Sequence, residues 1–414
     1  MRARYLLLIV FLAMLAFWLF NSPHEAIKIP SAITFDAVPA TVRNATASDD
    51  YLRESVIRQD STLPPYDEVV LIDDEQRALV TGVDGWFWEV DLASGKANQF
   101  VDAPLMPAGA RIAPNNNRVV YFCASRLYGA KYPSQDRVGL YQLNIDTLSI
   151  QPIVIDVPLT PATGSGPIVY QPEQAPLLRH GDIHVQRTRP LQFCNDLDVS
   201  ADGRRIYFTE PFAYGEPSMG GGGTYREALS LGHNGLVWRH DLDAHTTSLV
   251  AQNFTFPDGI LVEGSGAERE TSILVSETVK FKIVRLFVAG DAAGSYQTVI
   301  ENLPGMPDGL DRDSEGRVWV GMLKQRSAII NWIHRNPWIK PLLLRLPSGW
   351  MPVSPKTSIL ALSADGGTAL FYSEHDGSKL TDISVVIPGE SILYLATVGA
   401  ESKGLYKVAY PPEL

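Results

Sequence analysis

An all-β fold, a six-bladed β-propeller behind an N-terminal transmembrane anchor, is predicted by three observations on this 414-residue sequence. The first is a hairpin between Phe193 and Glu210: Asn195 heads an apolar-alternating run, Asp202-Gly203 turns the chain, and Ile206 to Thr209 bring it back. Its phase recurs. Gly203, Gly266 and Gly316 follow Asn195, Asp258 and Asp308 by eight positions each, and Gln76, in a polar turn, follows Glu68 by the same eight. The second observation is a glycine before a further alternating run, at Gly85, Gly139, Gly235 and Gly404, which adds a third strand to the hairpin. The third is spacing. Units begin near residues 68, 109, 195, 258, 308 and 382, about one propeller blade apart plus variable loops, so that six fit.

Taken in order, residues 5 to 20 are uninterrupted apolar sequence behind Arg2 and Arg4. By the positive-inside rule the N-terminus stays cytoplasmic and the rest is exported, to a periplasm or to a lumenal or extracellular space. Sixteen residues is short for a span and also suits a signal-peptide core. No small-x-small cleavage pattern follows directly, which favours an uncleaved anchor over residues 1–22. Residues 23–60 carry scattered Pro, Ser, Thr and charge and read as a linker, leaving 61–414 for the propeller.

Three loops between the predicted strands are long. Residues 156–190 contain His180 and His184, and residues 211–233 contain Gly220 to Gly223 and end at His233. The third, 324–346, mixes Trp332 and Trp338 with Arg326, Arg335, Lys340 and Arg345. It reads either as a membrane-interface segment or as a lid helix packed on the blades.

Composition narrows the partners. A formal net charge of −11 argues against a nucleic-acid partner, because phosphate binding normally needs a basic face. Two cysteines, Cys123 and Cys194, allow at most one internal disulfide, and their pairing is left open. No G-x-S-x-G elbow, H-E-x-x-H helix or phosphate-binding G-x-x-x-x-G-K is present.

The chemistry concentrates at the heads of the inner strands. A propeller converges these strands on its axis, so Glu68, Asn195, Asp258 and Asp308 are expected to meet in the central channel. The second unit offers only Ala108-Gly109 there, and the sixth Thr381 or Asp382. Oxygen donors without His or Cys favour a hard cation, calcium before magnesium, because several ligands in a wide channel suit flexible coordination.

These blocks, Phe193 to Glu210, Phe256 to Glu263, Leu274 to Gly290, Leu303 to Met322 and Asn336 to Leu346, resemble successive blocks of the strictosidine-synthase-like family. Paraoxonases and gluconolactonases are more distant relatives. The resemblance covers most of residues 62–410 and implies a six-bladed propeller with calcium in its channel, held by Glu68, Asn195, Asp258 and Asp308. Three departures bear on the site. Pro307-Asp308-Gly309 carries glycine where close relatives carry an asparagine amide after the aspartate. Phe256-Pro257-Asp258-Gly259 puts a carboxylate where relatives usually carry an amide. Ile387-Pro388-Gly389-Glu390 stands in place of the block that carries the catalytic glutamate of strictosidine synthase, which places condensation chemistry last.

The expected function is therefore a membrane-anchored, calcium-dependent hydrolase of small esters or lactones, of the arylesterase or lactonase kind. Glu68 or Asp308 is the expected general base toward water. The alternative is a non-catalytic propeller with structural calcium that binds a partner or lipid. Membrane contact is expected through residues 5–20 and through Trp332 and Trp338.

Overall fold

The computed structural model describes residues 9–15, 17, 32–47, 51–59, 62–159, 168–169, 188–213, 217–264, 270–346 and 353–414. His180 and His184, and about half of the apolar run over 5–20, lie outside the described residues. Among the described residues, no helix is long and apolar enough to cross a membrane.

The alternating runs form antiparallel four-stranded sets. The first set is Tyr66–Ile72, Arg77–Gly82, Trp86–Asp91 and Ala97–Asp102; the second is Met106–Ala113, Asn116–Ser125, Gly139–Asn144 and Ser149–Val154. The third contains Leu197–Val199, Arg205–Glu210, Gly235–Asp241 and Thr246–Phe254, with Ile168–Val169 added in parallel at its outer edge. The fourth is Pro257–Glu263, Ser272–Glu277, Lys282–Phe287 and Tyr296–Ile300, and the fifth is Gly305–Arg312, Val318–Gln325, Thr357–Leu362 and Ala369–His375. The last set takes Ile383–Pro388, Ile392–Thr397 and Leu405–Ala409 from the C-terminal end and its outer strand, Ile57–Gln59, from the N-terminal end. Its strand pairing with the first set is limited to Tyr66–Thr397. Innermost strands contact from set to set in a closed cycle. The result is a propeller-like all-β fold.

Burial follows strand periodicity and sheet stacking. Second strands, covered on both faces, are almost wholly buried, as at Arg205–Glu210 and Ser272–Glu277. Apolar clusters fill the spaces between neighbouring sets: Trp319, Ile359 and Phe371 of the fifth pack on Ile383, Val386 and Tyr406 of the sixth. Tyr66, Val69 and Val80 of the first pack on Ile387, Tyr394 and Ala396 of the sixth, and the Tyr66 hydroxyl donates to Leu395 O. Each such side chain contributes about 1.5–3 kcal/mol by leaving water. The predicted turn glycines Gly203 and Gly316 take φ of 67° and 85°, a conformation most other residues resist.

The linker expected over 23–60 differs from expectation in its described part. Helices Ala40–Asn44 and Tyr51–Ser55 bury Val42 and Leu52. Ala47 N donates to Tyr372 O, and Tyr372 N donates to Ala45 O, along the outer strand of the fifth set. Ile57–Gln59 is itself a strand, so the sheet structure begins before residue 61. The physical reason is edge protection: an outer strand exposes unpaired N–H and C=O groups, and this segment covers two such edges.

Cys123 and Cys194 form a disulfide across 71 residues, both fully buried. It ties the second strand of the second set to the residue before Asn195.

Within the segment 324–346, Lys324 and Gln325 end a strand, and Ala328–Arg335, Pro337–Ile339 and Lys340–Leu343 are helical. Ser327 caps Ala328–Arg335, its side chain accepting from Ile330 N, and Asn336-Pro337 ends the helix. Ile330, Ile333 and His334 face the fold, while Ile329 and Trp332 face outward.

A candidate metal centre in the axial channel

Each set begins its inner strand at the same end of the channel. Asp67, Glu68, Gly109, Asn195, Asp196, Asp258, Asp308, Gly309, Ser384 and Val385 line one cavity of about 20 Å³, room for roughly one water or ion. All four predicted ligands, Glu68, Asn195, Asp258 and Asp308, are therefore brought together. The sixth position is Ser384-Val385 instead of Thr381 or Asp382, because strand Ile383–Pro388 starts after both of those residues.

Asn195 donates through Nδ2 to Asp258 Oδ1, while its own Oδ1 is buried without any hydrogen-bond donor. Asp258 Oδ2 accepts from Thr278 Oγ1 at 3.1 Å, and Asp258 and Asp308 share a hydrogen bond. Glu68 accepts from Val69 N at 3.1 Å and from Arg111 Nη1 at 2.5 Å. Asp196 accepts from Leu197 N at 2.8 Å and Ile260 N at 3.1 Å.

Burial dominates the electrostatics. It pushes the carboxyls of Asp196 and Asp258 up to about 6 and that of Glu68 to about 8, with Arg111 pulling Glu68 and Asp196 back down. Asp308 is raised well above the carboxylate range by burial and then by Asp258, and Asp67 likewise by burial and then by Asp258. Among the described residues, no three His, Cys, Asp or Glu side chains are already grouped around one point as a metal site. The donor set nonetheless fits a hard cation. It offers carboxylates and one amide oxygen, the latter buried without a donor, and their mutual repulsion is what a cation would relieve.

Sequence reading missed a second layer. Two residues along the inner strand from Gly109, on the same face, stands Arg111. Its guanidinium reaches Glu68, lies 3.8 Å from Asp198 and donates to Leu310 O at 2.9 Å. Asp198 and Asp311, both raised by burial and lowered by Arg111, complete that layer. The available signal was period-2 alternation from Asp196 to Asp198 and from Gly109 to Arg111.

The glycines at the site serve close approach. A Cβ at Gly109 would lie 2.2 Å from Asp196 Oδ1, and one at Gly259 would lie 2.0 Å from the backbone oxygen of Asp308. Gly259→Ala therefore has to displace backbone. A loss of about 1–3 kcal/mol in urea unfolding is expected, and unchanged stability would refute this packing.

His233 is buried, with Nδ1 3.2 Å from Asn253 O, and burial with Lys280 nearby pulls it down to about 4; it does not line the cavity. The string Glu374-His375-Asp376-Gly377 ends the outer strand of the fifth set, where Glu374 meets Lys356 at 3.2 Å, away from the cavity.

Fold and site together define an all-β propeller-like protein with an acidic, oxygen-lined axial cavity. The SMP-30/Gluconolactonase/LRE-like region matches residues 161–333. The chain is similar to the adipocyte plasma membrane-associated protein of Danio rerio, 32% identical over 202 residues and 46% of each chain. It is 30% identical over 218 residues to the Homo sapiens protein of that name, covering 50% of each. To strictosidine synthase-like 10 of Arabidopsis thaliana it is 27% identical over 225 residues, 53% of this chain and 58% of the other. The chain spans about half the length of the curated relatives it matches. These matches bear out the resemblance to the strictosidine-synthase-like proteins and the more distant relation to the gluconolactonases.

Solved structures agree on the fold. A gluconolactonase from Xanthomonas campestris superposes with a TM-score of 0.52 at 14% identity, over 94% of this chain and 100% of that one. The calcium-binding protein regucalcin from Agrobacterium tumefaciens gives 0.50 at 12% identity, over 85% and 92%.

Proposed function

We propose that the six sets are the six blades of one propeller, that calcium is held in its channel by Glu68, Asn195, Asp258 and Asp308, and that the protein hydrolyses small esters or lactones. The observation that carries this reading is the Asn195 amide oxygen, buried without a donor among carboxylates that burial holds above their usual range. The names of structurally similar proteins, gluconolactonase and calcium-binding regucalcin, support the same chemistry.

When bound, calcium would supply Lewis-acid stabilisation of the oxyanion formed as water attacks the carbonyl. The chain's own residues would handle the proton. Glu68 is placed to accept one, with Arg111 fixing its orientation through Oε2. Asp308 shares a hydrogen bond with Asp258, so that pair is the other candidate base.

The test is turnover of aryl acetates and γ-lactones by the full chain in detergent. Chelation and Asp308→Ala should each lower the rate by at least about tenfold, with calcium restoring the chelated protein and circular dichroism unchanged. Rates indifferent to both treatments would sink the hydrolase reading.

One observation favours the second reading, a non-catalytic propeller with structural calcium that binds a partner or lipid. The cavity holds only about 20 Å³, and Phe193 and Phe256, two residues before Asn195 and Asp258, are buried in one cluster with Phe212, Leu231 and Val279. An ester would need more room than that.

For the cellular setting we propose residues 1–22 as a single-pass anchor with cytoplasmic N-terminus, 23–60 as a segment partly packed on the blades, and 61–414 as the exported propeller. Residues 5–20, and Trp332 and Trp338, would be its membrane contacts. The name of the similar plasma membrane-associated proteins supports that setting.

A further inference from the structure

The strand order fixes which loops share a face with the cavity. Inner strands start at the cavity and second strands return to it. Every connection from a second to a third strand, including those that leave Ser125, Glu210 and Gln325, therefore starts on the cavity face. The turn at 145–148, between third and fourth strands, lies on the opposite face.

On the cavity face stand Ile329, Trp332 and Trp338, 46%, 41% and 65% exposed, with the two indole rings edge to face at 6.4 Å. Such side chains have an apolar body that the fold leaves open to solvent. The segment that bears them is basic: residues 324–346 contain no Asp or Glu and carry Lys324, Arg326, Arg335, Lys340 and Arg345, of which Lys324 pairs with Asp382 at 2.8 Å, Lys340 is buried and Arg335 is exposed. Indole with lysine and arginine is the composition that favours the headgroup region of a bilayer.

The N-terminal segment arrives at the same place. Ile33 N donates to His334 O at 3.0 Å, and the Phe35 ring meets His334 and Phe281 at 5.6 and 4.9 Å. Arg326 donates to Asp36 O at 2.8 Å. Ile33 and Phe35 also pack on the Phe193–Phe212–Phe256 cluster. Between the apolar run ending at Phe20 and Ala32 lie only eleven residues, a reach of at most about 40 Å. The chain thus leaves the membrane-seeking run and joins the fold on the helix that bears the exposed Trp332.

We propose that the cavity face is the membrane-facing face of the propeller, with Ile329, Trp332 and Trp338 entering the headgroup layer of an anionic bilayer. This rests on the reading of residues 5–20 as an anchor, and not on hydrolysis or on calcium. The mouth above Asn195 and Asp258 then opens toward lipid.

The full chain, reconstituted in phosphatidylcholine–phosphatidylserine vesicles, provides the test. Both native cysteines are paired, so an introduced thiol takes an environment-sensitive fluorophore alone. A label at Ala328→Cys, on the exposed start of the tryptophan helix, should shift to the blue and be quenched by nitroxide-bearing lipid. One at Thr147→Cys on the opposite face should do neither. Adding Trp332→Ser and Trp338→Ser, both at exposed positions, should return the Ala328→Cys label to its aqueous spectrum. Equal emission at the two sites, or quenching that survives loss of both tryptophans, would overturn the proposal. A calcium site that fails its own stability test would leave this result standing.

Discussion

Asp308→Asn should reverse its effect on stability with the calcium concentration. In chelator the substitution removes one of the mutually repelling carboxylates that line the cavity, so its melting temperature should rise above that of the unaltered protein. In saturating calcium it should fall below, because an anionic ligand is lost. The unaltered protein should gain about 2.7 kcal/mol at a hundredfold excess of calcium over Kd, a rise of several degrees, and the variant distinctly less. The pH dependence has a definite sign. Burial raises the folded-state values of Asp196 and Asp258 to about 6 and of Glu68 to about 8. The stability these groups contribute is complete below their unfolded values near 4 and is lost as pH rises through 6 and then 8. Chelated protein should therefore melt higher at pH 5 than at pH 8, and calcium should remove most of that difference. Differential scanning calorimetry in calcium and in excess chelator measures both. Parallel curves for the two proteins would mean that the cavity holds no cation.

Arg111→Met should cost more. The guanidinium offsets the charge of Glu68, Asp196, Asp198 and Asp311 across two layers of the channel, and it also closes a hydrogen bond to Leu310 O. Removing it leaves buried carboxylates unopposed, a change worth about 3–5 kcal/mol where one partner of a buried pair is deleted. Urea unfolding at pH 7.5 and pH 5 should show the loss shrinking at the lower pH, where the orphaned carboxyls take up protons. An equal loss at both values would point to packing in place of charge.

The sequence disclosed the channel through phase. Glu68, Asn195, Asp258 and Asp308 share one offset from their turns, and in a propeller equal offset means equal depth along the axis. Arg111 stayed hidden because its strand carries glycine at the shared offset, and that glycine is there to admit the Asp196 carboxylate from the next set. No local pattern carries that reason. The sixth position escaped for another cause: its inner hairpin turns through Pro388 and Gly389 without the Asp-Gly spacing that registered the third set. The role of residues 32–59 was illegible for a third cause. Val42, Leu52 and Ile57 lack periodicity of their own and gain their conformation from strands that begin more than 300 residues later, at Ala369 and Leu405. Pairing of Cys123 with Cys194 was likewise fixed by the stacking of two sets and not by spacing.

The pairing of Ile57–Gln59 with Leu405–Lys407 also orders events in time. During synthesis the first strand of the domain has no partner until its mate, some 350 residues later, has been made, since Ile57 pairs with Lys407. Contacts of such separation close late and slowly. A chain already threaded into a membrane at its N-terminal end would hold that waiting strand at the point of emergence, and the finished sheets would come round to meet it. Force applied at the N-terminal end would meet the contacts of Ile33, Phe35 and Ala47 first, and this three-residue seam would be the last tie, whose rupture releases the ring.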